Sequence, residues 1–195
     1  MKIQVIVGST RPGRATLSLA KWVAADAANL AGAQVELVDL ADYAMPFFNE
    51  PVSPRFNPNR QPAPEVQKWL DKIAEADAYV FVTPEYNHGT TGVLKNAIDY
   101  LTSEMKQKPA AVVSHGGVGG ARAAVQLKEI LSESAATIIP SGVQLVGYIA
   151  QGGIIDENGV LDEKVKANPY GPQGALTAML NDLQWHSDAL AVARG

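Results

Sequence analysis

Cysteine is absent from this chain of 195 residues, and its absence excludes several kinds of chemistry at once. There can be no disulfide framework, no thiolate ligand for a metal and no cysteine nucleophile. The three histidines share no metal-ligand spacing. We therefore predict no metal site, and the lack of cysteine favours an intracellular setting.

Excess positive charge and long apolar runs are also missing. Sixteen Lys and Arg stand against 20 Asp and Glu, which gives a net charge of −4 and no basic footprint for nucleic acid. Nowhere do 18 apolar residues follow one another, and the chain opens on a predicted strand without a charged-then-apolar leader. We expect no nucleic-acid partner, no membrane partner and a cytoplasmic location.

Short apolar runs alternate with segments of helical periodicity. Strands are predicted at residues 3–7, 35–38, 78–82, 110–113 and 143–146, with helices between them and a last helix around 176–183. This alternation predicts an α/β fold, a doubly wound parallel sheet with helices on both faces. The length and the 47% hydrophobic content predict a single domain over residues 1–195.

Two segments break this alternation. Residues 41–64 hold six of the 12 prolines together with Phe47, Phe48 and Phe56, and connections of this length usually have a function or lie against a partner. Residues 154–161, IIDENGVL, place an Asn-Gly pair between apolar dipeptides, which predicts a small hairpin.

The first loop, residues 8–16 (GSTRPGRAT), resembles a triphosphate-binding loop but lacks two of its functional residues. Such a loop needs lysine and then a hydroxyl after its second glycine, for the phosphates and for Mg²⁺. Here Arg14 and Ala15 occupy those positions. Thr10 also replaces the second glycine of the dinucleotide fingerprint, where pyrophosphate must approach closely.

What remains is a strand, a turn rich in Gly, Ser and Thr, and the positive end of a helix. Arg11 and Arg14 add cationic forks, while Ser9 and Thr16 add hydroxyl donors. This combination suits a lone phosphate monoester without a metal, and FMN fits it. The alternative is an ordinary strand-to-helix turn whose arginines serve solubility.

The second loop, residues 83–91, opens the stretch TPEYNHGTTGVLKNAIDYL after the third strand. In a doubly wound sheet it lies at the same edge as the first loop, where ligands bind. Pro84 stiffens it, and Tyr86 offers an aromatic surface. Asn87 offers a donor and an acceptor, as a ring with imide and carbonyl edges requires.

GSTRPGR after the first strand, with PEYNHG and LKNAIDYL after the third, resembles the NAD(P)H-dependent FMN reductase family. These are flavodoxin-like proteins that include quinone, chromate and azo-dye reductases. The resemblance runs from Met1 to about Val146. It implies a five-stranded sheet in the order 2-1-3-4-5, FMN as cofactor and NADPH or NADH as co-substrate.

The resemblance also implies which residues contact FMN, and it adds a third loop at residues 114–120 (SHGGVGG). The phosphate contacts are Ser9, Arg11, Gly13, Arg14, Ala15 and Thr16; the ring contacts are Pro84, Glu85, Tyr86 and Asn87; the third loop adds Ser114, His115, Gly116, Gly117 and Gly120. No side chain is expected to act as a catalyst. Backbone N–H groups near Glu85, Gly116 and Gly117 are expected to stabilise negative charge on the ring.

The expected reaction is ping-pong: a hydride passes from NAD(P)H to FMN, and a quinone or another small acceptor then takes the electrons. A preference for NADPH would depend on an arginine such as Arg55, Arg60 or Arg122. The alternatives are a flavodoxin-like electron carrier and a flavin-based redox sensor without turnover. A hydrolase is discounted, because Val112 stands where a nucleophile elbow around Ser114 needs glycine.

The helix at residues 94–101 is predicted to be core on one face. In the family that the chain resembles, this helix packs against its twin. The resemblance therefore implies a homodimer or homotetramer through Leu94–Leu101, in which Tyr100, Met105 and the Phe47–Phe48 pair meet a neighbouring subunit.

Overall fold

The computed structural model describes residues 1–147 and 154–194. Five parallel strands form one sheet in the order β2-β1-β3-β4-β5. The strands are β1 (Lys2–Val7), β2 (Gln34–Asp39), β3 (Ala78–Pro84), β4 (Pro109–Gly116) and β5 (Thr137–Val146). The predicted fold class and strand order are confirmed.

Helices follow the first four strands and close the chain as predicted, and a short helix, Glu163–Lys166, was not predicted. They are α1 (Ala15–Ala27), α2 (Pro64–Ala74), α3 (Gly92–Asp99), α4 (Ala121–Glu133), α5 (Glu163–Lys166) and α6 (Pro172–Arg194). Two 3₁₀ turns, Leu40–Asp42 and Pro54–Phe56, lie in the long connection between β2 and α2. Over the described ranges, none of the helices combines the length and the apolar character that crossing a bilayer would require.

The central strand β3 is buried along its whole length and separates two hydrophobic clusters. Because successive side chains of a strand point to opposite faces, Val80 and Val82 pack with α1 and α6. Tyr79 and Phe81 pack on the other face with α2, α3 and α4. Helices therefore cover both faces of the sheet, and all three loops are left at its carboxyl edge.

Some boundaries differ from the prediction. β5 begins at Thr137, six residues earlier than expected, because Pro140 and Gly142 interrupt the apolar pattern at a register shift against β4. The predicted hairpin forms as a tight turn with an antiparallel bridge between Ile155 and Leu161. Gly159 occupies the left-handed region there, at φ +86°.

The helix predicted to run to Leu101 ends at Asp99, and the residues after it turn into the core. Tyr100 and Met105 are only 2% and 0% exposed, so neither side chain is available to a neighbouring subunit. Phe48 packs edge-on against Tyr100, whereas Phe47 is 85% exposed. The homodimer or homotetramer stays a prediction, and those two residues are not part of its contact.

Candidate functional site

The three loops enclose a cavity of about 420 Å³ at the carboxyl edge of the sheet. Its walls are Arg11, Pro12, Gly13, Arg14, Ala15, Thr16, Pro84, Glu85, Tyr86, His115, Gly116, Gly117 and Gly147. Eleven of these thirteen are among the residues that the resemblance implies. Pro12 and Gly147 were missed. Gly147 directly follows β5, so the end of a fourth strand at the same edge was the signal that could have found it.

Four of the expected residues do not line the cavity. The hydroxyl groups of two of them, Ser9 and Ser114, form hydrogen bonds within the protein. The Oγ of Ser9 is buried and lies 2.9 Å from the Tyr86 hydroxyl, which it orients. Ser114 Oγ is buried too and donates to the Gly119 carbonyl at 2.8 Å. Ser9 therefore supports the position of Tyr86, and Ser114 closes the third loop on itself.

Gly120 is outside the walls because it packs beneath them. Its φ of +71° is in the left-handed region, and a β-carbon there would lie 2.8 Å from both the amide nitrogen and the carbonyl oxygen of His115. Only a residue without a side chain fits between α4 and the end of β4. Gly120 thus shapes the third loop through the backbone.

In the first loop, the turn before α1 leaves the start of that helix without a side-chain cap. Arg14 is the N-cap residue and makes no capping hydrogen bond to the first turn. Gly13 precedes it at φ +66°, with no atom within 4 Å of where a β-carbon would be. The N–H groups of the first turn and the helix dipole are therefore presented to an anion in the cavity.

The two arginines of the first loop have different surroundings. Arg14 forms an ion pair with Asp39 at the end of β2, and its side chain is only 14% exposed. Arg11 is exposed, and its guanidinium carbon lies 5.4 Å from the centre of the Tyr86 ring. Asp39 offsets the charge of Arg14, so Arg11 supplies the cation at the cavity mouth and Arg14 ties the loop to β2.

The second loop is a closed two-residue turn. Tyr86 N donates to the Gly89 carbonyl at 2.9 Å, and Gly89 N donates back to Tyr86 at 3.1 Å. Asn87 and His88 between them have φ values of 49° and 68°, the combination of a type I′ turn. Asn87 therefore serves the turn, and the turn fixes Tyr86 at the cavity wall.

Glu85 lies in the cavity wall, yet its polar groups are engaged by the protein. Its carboxylate pairs with Arg122 and accepts from the Arg122 amide at the start of α4, at 3.2 Å. The Arg122 hydrogen bond holds the pKa of Glu85 below its usual range. The Glu85 amide donates to the His115 carbonyl at 3.0 Å, so this N–H is engaged within the protein, and the expectation of N–H groups near Glu85 that face the ring stays a prediction. Gly117 keeps open space around it.

His115 lies beside Pro84 at the end of β4, and its Nε2 is 2.9 Å from the Thr16 hydroxyl of α1. Burial lowers the pKa of His115 to about 4, because the protein interior disfavours the charged imidazolium. The imidazole is therefore neutral at pH 7. Its hydrogen bond joins β4 to the first turn of α1, directly under the cavity.

The arginines named for the 2′-phosphate of NADPH lie in different places. Arg55 pairs with Glu133 at an exposed position. Arg60 is bound to Glu50 and to the carbonyl of Tyr100, inside the long connection. Arg122 is beside the cavity through Glu85, and is half exposed.

Comparison with known proteins matches residues 1–151 to the model of a family described as NADPH-dependent FMN reductase. The chain belongs to this family. The match ends close to where the resemblance was expected to weaken. An oxidoreductase family that uses FMN and NAD(P)H is thus confirmed as predicted.

Individual relatives agree with the family. The NAD(P)H-dependent FMN reductase of Schizosaccharomyces pombe is 40% identical over 129 residues, which are 66% of this chain and 64% of that protein. A protein of Solanum tuberosum named NAD(P)H:quinone oxidoreductase is 36% identical over 137 residues, which are 67% of this chain and 66% of that protein. The chain thus matches slightly less than two thirds of the length of these relatives.

Among solved structures, FerB, a flavoenzyme NAD(P)H:(acceptor) oxidoreductase of Paracoccus denitrificans, superimposes with a TM-score of 0.74. Its sequence is 26% identical, and the alignment covers 95% of this chain and 98% of that one. This alignment includes the region after residue 151 that the family model leaves out.

The cavity fits FMN on three separate counts. Its volume of about 420 Å³ is in the usual range of small-molecule pockets. An uncapped helix start with Arg11 beside it suits a phosphate. Gly117 has open space where a β-carbon would lie, so a flat ring can approach the backbone of the third loop closely there.

Proposed function

We propose that this protein is an FMN-dependent oxidoreductase that takes electrons from NAD(P)H and gives them to quinones or other small acceptors in a ping-pong sequence. When bound, FMN supplies the two-electron chemistry between the nicotinamide and the acceptor. The observation that carries the proposal is the cavity itself, where an uncapped helix start, Arg11 and glycine backbone meet at the sheet edge.

The first loop binds the phosphate in this proposal. Arg11 contributes a charge-assisted hydrogen bond, and the N–H groups of the first turn of α1 complete the anion site. The Thr16 hydroxyl is oriented by the neutral His115 ring. The ion pair of Arg14 with Asp39 holds the turn in shape before any ligand arrives.

The second and third loops hold the ring. Pro84 and Tyr86 of the second loop line the cavity together with Gly116 and Gly117 of the third. The N–H of Gly117 is the group we propose to face negative charge on the ring, where a preorganised dipole stabilises most. Because Glu85 is paired with Arg122 and His115 is neutral, neither is proposed as a proton donor.

A quinone acceptor is supported by the potato relative, which is named for that activity. We propose the ping-pong sequence because the nicotinamide and the acceptor would each have to reach the same bound ring.

The proposal is tested by anaerobic titration of the FMN-loaded protein with NADPH and, separately, NADH, while the visible flavin absorbance is followed. We expect stoichiometric bleaching by one or both nucleotides and recovery of the absorbance when benzoquinone is added. Unbound FMN under the same conditions is the control. Tight FMN binding without bleaching would point instead to an electron carrier or a sensor. Failure to bind FMN would overturn the interpretation of the first loop as a phosphate-binding loop.

A further inference from the structure

The second half of the motif that marks this family, LKNAIDYL, takes no part in the FMN cavity. Two of its side chains contact residues 45–48, which we call the strap: Asn96 of α3, and Tyr100, which directly follows that helix. Asn96 Nδ2 donates to the Pro46 carbonyl at 2.8 Å, and Phe48 N donates to Asn96 Oδ1 at 2.8 Å. The Asn96 amide therefore binds the strap as a neighbouring strand would.

Tyr100 reinforces this attachment. Its hydroxyl donates to the same Pro46 carbonyl at 3.2 Å, and its ring meets Phe48 edge-on with the ring centres 5.2 Å apart. With Pro46 and Phe48 both held, the residue between them has to point outward. Phe47 is accordingly 85% exposed, although it lies between two anchored neighbours.

The strap is one side of a second, smaller cavity of about 120 Å³. The cavity is lined by Thr10, Leu40, Tyr43, Met45, Phe47, Val93 and Asn96. Thr10 belongs to the first loop and precedes Arg11, which lines the FMN cavity, so the two cavities share that loop. An apolar cavity of ~150 Å³ is known to accept benzene, so a space of this size and lining suits one aromatic ring.

We propose that this small cavity is a subsite for an apolar substituent of the electron acceptor, and that Asn96 is the residue that positions its wall. By holding the strap, Asn96 keeps Phe47 and Met45 where they can contact a ring attached to a quinone. The inference rests on the proposed function and adds a preference within it: quinones with a phenyl-sized substituent are better substrates than unsubstituted ones.

The experiment compares benzoquinone with phenyl-substituted benzoquinone as acceptors for the FMN-loaded protein. The variants are Asn96→Ala and Phe47→Ala, with Lys95→Ala as the matched control, because Lys95 is on the same helix but pairs with Asp99. Burying one ring supports about a tenfold preference in kcat/KM for the phenyl compound in the unaltered protein. Both variants should remove this preference through KM, while bleaching by NAD(P)H and benzoquinone turnover stay within about twofold.

Two further measurements separate positioning from general stability. Asn96→Asp keeps the acceptor for Phe48 N but loses the donor to Pro46, so its preference should be intermediate. Calorimetry with phenylhydroquinone should show about tenfold weaker binding in both alanine variants. Phe47→Ala removes an exposed side chain, so this variant keeps the test valid even if Asn96→Ala fails to fold.

Equal loss of activity with both quinones, or no change with either, would overturn the role of Asn96. Intact benzoquinone turnover without any phenyl preference in the unaltered protein would overturn the subsite alone. Bleaching by NAD(P)H without any benzoquinone turnover would overturn the quinone acceptor, and the subsite with it. Absence of both bleaching and turnover would overturn the proposed function.

Discussion

The first and second loops contribute to the same cavity but are built in opposite ways. The second loop is braced on several sides: Thr83 and Thr90 hydroxyls lie 3.0 Å apart, and Thr90 N donates to Gln126 of α4 at 2.8 Å. The Thr91 hydroxyl caps α3 and also donates to the Gly8 carbonyl at 2.6 Å. This loop is complete before a ligand arrives.

The first loop has an open turn in its middle. Gly13 has no atom within 4 Å of where a β-carbon would lie, and the Arg11 guanidinium lies over the face of the Tyr86 ring. The loop is anchored at its ends, by Gly8 at the start and by Thr16 to His115 at the finish. Under the proposed function, the braced second loop would orient the ring of FMN, and the open first loop would bind its phosphate.

The largest effect is expected where the two loops join, at Gly8. Gly8 N donates to the Val82 carbonyl at 2.8 Å, and a β-carbon would lie 2.7 Å from that carbonyl oxygen and 2.9 Å from Leu94 Cδ2. Gly8→Ala should lower the free energy of unfolding by about 3 kcal/mol, measured by denaturant titration. Gly117→Ala, which has open space, should change it by less than about 0.5 kcal/mol. Equal free energies of unfolding in the two variants would contradict the prediction that the close packing at Gly8 joins the two loops.

A smaller effect is expected from a substitution in the first loop, and it should affect only the affinity for FMN. Arg11→Ala should raise the Kd for FMN about 30-fold, which corresponds to the loss of one charge-assisted hydrogen bond. The free energy of unfolding should not change. The quenching of FMN fluorescence gives the Kd. Arg55→Ala is the control, since its ion pair with Glu133 is exposed and distant from the loops. An unaltered Kd in Arg11→Ala would contradict the proposal that the first loop binds the phosphate.

The smallest effect is expected from pH, through the anchor at the end of the first loop. The folded protein holds the pKa of His115 at about 4, below the ordinary 6.5, so the unfolded chain binds more protons between these values. Stability is therefore highest above pH 6.5 and falls as the pH drops towards 4. We expect His115 to account for a loss of about 1–2 kcal/mol between pH 7 and pH 5.

The check on this loss is the same denaturant titration at each pH, with His115→Gln alongside. Glutamine does not titrate, so the variant should be less sensitive to pH over this interval. An identical pH dependence in the variant would assign the loss to other groups.

The sequence predicted the sheet, the strand order and most cavity residues, because periodicity and the family motifs are local signals. It did not predict which side chains would pair over long separations. The sequence around Arg14 does not predict its ion pair with Asp39, which is 25 positions away. The sequence around Glu85 does not predict its ion pair with Arg122 either. Tyr100 and Met105 were misplaced for a related reason, since the apolar stripe does not say whether its partner is this chain or another.

Residues 154–194 pack tightly against α1 and against the cluster that contains β1. The turn at Gly159 packs so closely on α1 that a β-carbon would lie 2.6 Å from Trp22 N, and Leu176, Met179 and Leu180 of α6 share one cluster with β1. The limit of the family match at residue 151 is therefore not a limit of packing. A transplant of the proposed flavin site into another scaffold would have to include residues 154–194 as well, although none of these residues lines the cavity.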